Sequence, residues 1–250
     1  MPLYDTNAPR VLVTSGGTAC PIDDVRVVTN IGTGLFGSQI AEALLRMGCH
    51  VQYLHSRGAR RPFFRCGEID LDADLDAEFE RVRRVREEYL RCRERLTLVE
   101  APTFDDYVRE ARRIVAEVPV ELAVMTIAAS DYAPAPAGGK LASDADRFTL
   151  EMVRCPKVIE QLRALRPDLF VVGFKLSSRL ARDVMLRRTR AWMRRGGYPL
   201  VVANDLSARR LPERQVFLLG PGGDEVRSFA GRDVATPLVE AILAAHRAAR

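Results

Sequence analysis

Short apolar runs alternate with helical patterns along the whole chain, and this alternation constrains the fold more than any other feature of the sequence. The runs Val11–Thr14, His50–Leu54, Leu96–Val99, Leu122–Ile127, Phe170–Phe174 and Leu200–Ala203 each have the length of a buried strand. Helical spacing predicts helices between them at Leu35–Met47, Ala73–Arg95, Phe104–Val118, Pro156–Arg166 and Ser178–Arg195. Strand, helix and strand repeated in this way imply βαβ units, right-handed crossovers and a parallel sheet covered on both faces. The expected class is therefore α/β, a Rossmann-like, doubly wound and mostly parallel sheet. Near the end, Gln215–Leu219 and Glu225–Phe229 flank the turn Gly220-Pro-Gly-Gly-Asp224, which signals a C-terminal β-hairpin, and Val234–Arg247 reads as a closing helix.

Composition narrows the class further. The 250 residues are 47% apolar, yet no uninterrupted apolar run approaches the roughly 18 residues that span a bilayer. Met1–Arg10 lacks a basic segment followed by an apolar one, so a cytoplasmic protein with no membrane partner is expected. Cys20, Cys49, Cys66, Cys92 and Cys155 form no CxxC pair and read as reduced, structural thiols. The net charge of +5 comes from Arg scattered along the chain, which is a weak reason to expect nucleic acid as a partner. Only Lys140, Lys157 and Lys175 among the 38 basic residues are lysines. In an Arg-biased chain each marks a place where a compact ammonium is wanted instead of a planar fork.

Two stretches depart from the alternation within what reads as one domain over residues 1–250. From Arg65 to Arg95 the sequence turns acidic and then Arg-rich, with Leu71, Leu75, Phe79, Val82 and Tyr89 spaced for one face of a solvated helical insertion. From about residue 132 to 147, Tyr132-Ala-Pro-Ala-Pro-Ala-Gly-Gly-Lys140 and its continuation follow a strand directly and are too rich in Pro, Gly and Ala to pack. A mobile lid at the carboxyl end of a strand is expected there.

Four clusters at strand ends carry candidate chemistry. Ser15-Gly16-Gly17-Thr18 leads to Asn30, and Gly32-Thr33-Gly34-Leu35-Phe36-Gly37 opens a helix, where glycines and exposed N–H groups suit an anion. Ala128-Ala129-Ser130-Asp131 precedes the lid with Lys140, and Gly173-Phe174-Lys175 and Ala203-Asn204-Asp205 each close a strand. Phosphate-binding glycines, a lid lysine and a carboxylate able to hold Mg²⁺, with no nearby His or reactive Cys, suit phosphoryl or nucleotidyl transfer. A competing reading takes Val25–Thr29 as the strand before the GxGxxG turn; since Val51–Leu54 then ends in His55-Ser-Arg57 without an acidic residue, it predicts an NADP-dependent reductase.

Taken in order, Ser15-Gly-Gly-Thr18, Ile22-Asp23, Val25-Arg26, Thr29-Asn30, Gly34 and Gly37, Ala128-Ala-Ser-Asp-Tyr132, Lys140-Leu141, Gly173-Phe-Lys-Leu176 and Val202-Ala-Asn-Asp205 strongly resemble the phosphopantothenate–cysteine ligase family, also called phosphopantothenoylcysteine synthetases. The resemblance runs from about Arg10 to about Arg247, is interrupted mainly at 65–95, and is nearest the stand-alone form with no fused flavin-dependent decarboxylase. It implies a homodimeric enzyme of coenzyme A biosynthesis. Such an enzyme activates the carboxylate of 4′-phosphopantothenate with CTP or ATP and Mg²⁺, then transfers the acyl group to cysteine. By residue, the resemblance puts Asn30 and Lys140 in catalysis, and Arg26, Thr33, Ala128 and Ala129 on the acid substrate. Gly16, Gly17, Asp131, Gly173, Phe174, Lys175, Asn204 and Asp205 fall to the nucleotide, with Asp131 also the metal candidate. Lys157 also occupies a family position, though it opens a predicted helix. Family members usually carry a serine two residues after the active-site Asn, where this chain has Gly32. That departure leaves open a paralogous nucleotide-activating ligase or nucleotidyltransferase acting on another acid.

Overall fold

The computed structural model describes residues 8–64, 69–135, 138–142, 144, 146–206 and 214–250. Its central sheet has eight strands: β1 (Arg10–Ser15), β4 (His50–Ser56), β5 (Leu96–Ala101), β6 (Leu122–Met125), β9 (Phe170–Ser177), β10 (Leu200–Asp205), β11 (Arg214–Leu219) and β12 (Val226–Gly231). Across the sheet they run β12-β11-β10-β9-β6-β1-β4-β5. The six strands from β5 to β10 are parallel, whereas β11 and β12 add an antiparallel hairpin at the edge. Numbered by themselves, the parallel strands follow the order 3-2-1-4-5-6 of the doubly wound fold, whose connections reverse beside the first strand, here between β1 and β6. The alternation in the sequence thus gives the sheet it implied.

Helices α1 (Leu35–Arg46) and α6 (Ala235–Ala248) cover one face, and α3 (Phe104–Glu117), α4 (Val158–Leu165) and α5 (Arg182–Gly196) cover the other. Strands buried on both sides explain the continuous apolar runs: Val11, Leu12 and Val13 of β1 are all inaccessible, with Val11 and Val13 in one core and Leu12 in the other. Helix α1 buries Phe36, Ile40 and Leu44 at helical spacing, about 1.5–3 kcal/mol for each side chain removed from water. Helix α3 starts where Thr103 and Asp106 form a reciprocal capping box.

Local hydrogen bonding overrides several boundaries expected from the sequence. The stretch Ser178–Ala181 stays out of α5 because the Asp205 carboxylate accepts the N–H groups of Arg179 (3.2 Å) and Leu180 (3.3 Å) and holds them in a turn. Strand β6 stops at Met125 because Thr126 folds back, its hydroxyl donating to the Thr14 carbonyl at 2.6 Å. The segment Val27–Thr29 is β3, paired antiparallel with β2 (Ala19–Pro21) in a small sheet of its own. It therefore cannot be the parallel strand that the reductase reading required; that place belongs to β1. The lid stretch is not unstructured from its start either, since β7 (Tyr132–Pro134) pairs antiparallel with β8 (Met152–Arg154) and buries Pro134. The remaining lid positions 136, 137, 143 and 145 lie outside the described residues.

The 65–95 stretch contributes helix α2 (Leu75–Cys92), begun by the Asp74 side chain accepting the Ala77 N–H at 2.8 Å. Its expected apolar face divides in two. Val85 and Tyr89 pack on the α1 core, whereas Leu71, Leu75 and Phe79 are exposed. Residues 65–68, including Cys66, lie outside the description; Cys20, Cys49, Cys92 and Cys155 are buried. Among the described residues no helix is long and apolar enough to cross a membrane.

Candidate functional site

The ends of β1, β6, β9 and β10 converge on a cavity of about 480 Å³ at the point where the strand order reverses. Such crevices at carboxyl strand ends are where doubly wound folds place ligands. Gly16, Asn30, Ala128, Ala129, Asp131, Phe174, Lys175 and Asn204 line it, so residues up to 188 positions apart in sequence share one wall system.

The glycines make this geometry. Gly17 bridges to Ala128 from β1 to β6, and a Cβ on Gly17 would fall on the carbonyl of Asn30. Gly34, at φ 74°, is the N-cap of α1 and offers no side-chain cap of its own, though Thr33 Oγ1 accepts the Leu35 N–H at 3.4 Å; α1 carries no acidic residue in its first turn. The first-turn N–H groups and the positive end of the helix dipole therefore border the cavity. Gly32 has an equally specific reason to lack a side chain: its Cβ would lie 2.6 Å from the Gly16 carbonyl oxygen. In this chain the missing serine leaves room for two backbones in contact.

Asn30 leaves β3 and donates from Nδ2 to the Ala128 carbonyl at 2.8 Å. An amide held by one N–H keeps a second N–H and an oxygen for a ligand. Ser130 is fixed beneath the same loop, its N–H donating to Thr18 Oγ1 at 2.9 Å. Asp131 is exposed and forms an ion pair with Lys157, which stands at the N-cap of α4.

An aromatic and cationic wall faces the glycines. Phe36 and Phe174 meet edge to face at 6.1 Å, and the Arg214 guanidinium lies 4.1 Å over the Phe36 ring. Lys175 Nζ sits 5.6 Å from the centre of Trp192, whose ring edge presses on Gly173, where a Cβ would lie only 2.7 Å from it. Phe36, Trp192 and Arg214 line the cavity but were not apparent as site residues in the sequence. Trp192 is the chain's single tryptophan, a usable signal; Arg214 is hidden among many arginines.

Six expected site residues stand outside the cavity lining. Gly17 and Gly173 support its walls from behind. Thr33 is turned into the α1 entry loop, where its carbonyl accepts the Arg60 N–H at 2.9 Å. Asp205 holds the loop after β9. Arg26 and Lys140 lie together elsewhere: Arg26 Nη2 donates to the Leu141 carbonyl at 2.6 Å and Nε to Asp23 at 2.9 Å. Lys140 itself is exposed.

A doubly wound sheet with glycine turns and a helix N-terminus at its switch point defines a Rossmann-like α/β domain whose crevice suits an anion. More particularly, the chain belongs to the DNA/pantothenate metabolism flavoprotein C-terminal domain family, whose model matches residues 6–70 and 89–245 and passes over most of α2. It is 24% identical over 235 residues to the coenzyme A biosynthesis bifunctional protein CoaBC of Methanocaldococcus jannaschii, covering 93% of this chain and 50% of that protein. The chain thus spans about half the length of such relatives. It is 26% identical over 221 residues to phosphopantothenate–cysteine ligase 2 of Oryza sativa subsp. japonica, covering 79% of this chain and 68% of that one. Among solved structures, the DNA/pantothenate metabolism flavoprotein of Streptococcus pneumoniae superposes with a TM-score of 0.75 at 22% identity, over 97% of this chain and all of that one. A Cab2 mutant in complex with phosphopantothenate-cysteine superposes with a TM-score of 0.80 at 22% identity, over 96% and 87%. These two likenesses carry the fold.

Proposed function

We propose that the protein joins 4′-phosphopantothenate to cysteine through an acyl-nucleotide, as a ligase of coenzyme A biosynthesis. The observation that carries this reading is the convergence of Asn30, the glycine turns and the Ala128–Asp131 loop with Phe174, Lys175 and Asn204 on one cavity. The names of the family and of the rice and archaeal relatives point the same way.

In the first step a carboxylate oxygen of the acid attacks the α-phosphorus of CTP or ATP, the bond to the β-phosphate breaks and pyrophosphate leaves. In the second the amine of cysteine attacks the acyl carbon, the nucleoside monophosphate leaves and the amine proton passes to solvent. Both steps bring anions together, so donors fixed before reaction are the main contribution the chain can make. The Gly16 and Gly32–Gly34 turns with the α1 N-terminus would hold phosphate oxygens, and Phe174 and Asn204 would hold the nucleoside. Asn30, oriented by the Ala128 carbonyl, would donate to the acyl phosphate oxygen. Lys140 would bring its charge from the lid as pyrophosphate forms.

Among the described residues no three His, Cys, Asp or Glu side chains gather as a metal cage, and Asp131 shares its charge with Lys157. The exposed Asp131 carboxylate at the cavity would be the donor to Mg²⁺ carried on the triphosphate, an ion that keeps most of its waters and takes one or two carboxylates at most. When bound, Mg²⁺ supplies positive charge to the phosphate oxygens. A homodimer in the cytoplasm completes the reading. The test is to incubate the protein with phosphopantothenate, Mg²⁺ and CTP or ATP, with and without cysteine. Pyrophosphate and the acyl-nucleotide mass are expected without cysteine, and the amide with it; no pyrophosphate with either nucleotide would overturn the assignment.

A further inference from the structure

Asp23 is a fully buried carboxylate outside the cavity, in the turn between β2 and β3, and its two oxygens do different work. Oδ1 accepts the N–H groups of Val25 (3.0 Å) and Arg26 (2.8 Å), which is enough to fold the turn. Oδ2 accepts Arg26 Nε at 2.9 Å and, across 118 positions of sequence, the Leu141 N–H at 3.0 Å. Arg26 closes the ring by donating from Nη2 to the Leu141 carbonyl at 2.6 Å. The Asp24 N–H donates to the Gly139 carbonyl at 3.2 Å. Both neighbours of Lys140 are therefore tied to one turn, and that turn leads through the three residues of β3 directly to Asn30.

We infer that Asp23 is a positioning residue for Lys140, its Oδ2 and the Arg26 guanidinium forming a latch that fixes the base of the lid to the hairpin ending in Asn30. The inference rests on the proposed role of Lys140 in acyl-nucleotide formation. A merely structural carboxylate would need only bonds within the turn; Oδ2 holds Arg26 there, but it also accepts the Leu141 N–H, a bond that adds nothing to the turn and secures the lid instead. Burial alone would raise the Asp23 pKa, but the hydrogen bonds from Arg26, Val25 and Leu141 outweigh it and hold the group well below the usual carboxylate range. The latch is thus ionised at neutral pH.

Asp23→Asn separates the two functions, because the amide keeps Oδ1 for the turn and presents an NH₂ group to Arg26 and Leu141, which are themselves donors. Leu141→Pro reaches the same end from the other side, removing the N–H while leaving the buried carboxylate intact. The experiment measures hydrogen exchange at Leu141 in Asp23→Asn and in the unsubstituted protein, then the rate of pyrophosphate release and nucleotide KM for both variants, alone and combined with Lys140→Gln. Faster exchange at Leu141 is expected in Asp23→Asn. Release should slow by about 10- to 100-fold, as misplacing a group by an ångström does, while nucleotide KM moves by less than about twofold. Neither variant should slow the enzyme further once Lys140 is Gln. Unchanged exchange at Leu141 in Asp23→Asn, or equal slowing with and without the lysine, would overturn the latch. A wild-type rate for Lys140→Gln alone would remove the role of Lys140 and the positioning assignment with it, and the single variant identifies that failure.

Discussion

The two sides of the candidate site are built on different principles. The wall at the strand ends is made of backbone in contact with backbone or a rigid ring: Gly17 against Asn30, Gly32 against Gly16, Gly173 under Trp192. It allows no side chain to be added at these glycines. The lid side is held by side chains reaching over long sequence distances, with Asp23 and Arg26 gripping the backbone around Lys140. A group that must stay put is supported by steric exclusion, whereas one that must change its contacts during a reaction is supported by a few hydrogen bonds. The first kind of support fails abruptly on substitution and the second by degrees.

The largest effect should therefore come from the rigid wall. Gly17→Ala places a methyl group on the Asn30 carbonyl, a contact with backbone that no rotamer change relieves. The β1–β6 bridge and the Asn30 loop cannot both keep their places. Loss of nucleotide binding is expected, checked by calorimetric titration on protein whose circular dichroism remains native. A Gly17→Ala protein with normal nucleotide affinity would show that the wall yields, and the contrast with the lid would vanish.

Next in size is Asn30→Asp, which keeps shape but replaces a donor by an anion beside an acyl phosphate. Removing one oriented donor from such a site costs about 10²–10³ in rate. The variant should fold and bind nucleotide while pyrophosphate release falls by that factor. Lys140→Gln should have a smaller effect on the same step, with nucleotide KM almost unchanged, because a lid cation acts mainly as charge is redistributed. Lys140→Arg should restore only part of the rate, since a planar fork does not replace a point charge. Pre-steady-state pyrophosphate release reads both substitutions.

The same division governs what could be read in the sequence. Buried strands and amphipathic helices announce themselves by period, so the six parallel strands and α1, α3 and α6 stand within a few residues of their predicted bounds. The glycines are visible as motifs because close backbone contact leaves no room for a side chain, and Asn30 is visible through the motif it ends. The small hairpins β2–β3 and β7–β8 are not visible, being three residues per strand and fixed by partners far away. The role of Asp23 is invisible for the same reason: its partner Leu141 lies on the lid and donates through its backbone, which any residue except Pro supplies. Arg26 carries a contact that its motif does not reveal: its guanidinium holds the Leu141 carbonyl, outside the cavity lining.

The smallest effect belongs to α2, which touches neither wall nor lid and gives a control for both. Its anchor is Glu78, whose carboxylate accepts from Arg81 Nε at 2.7 Å and from the Asp70 N–H at 3.1 Å. The Arg81 hydrogen bond, followed by that from Asp70, lowers the Glu78 pKa to about 2, against the opposing effect of burial. A depressed carboxylate contributes stability that is complete above its unfolded pKa and is lost as pH falls towards its folded value. The contribution should therefore be full above about pH 5 and decline between about pH 4.5 and about pH 2. Glu78→Gln should flatten that part of the stability profile and leave pyrophosphate release at pH 7 unchanged. Titration of the Glu78 carboxyl by NMR and urea unfolding at several pH values would check it. A Glu78→Gln protein with slowed turnover but normal stability would connect α2 to the site and end its use as the neutral region of the comparison.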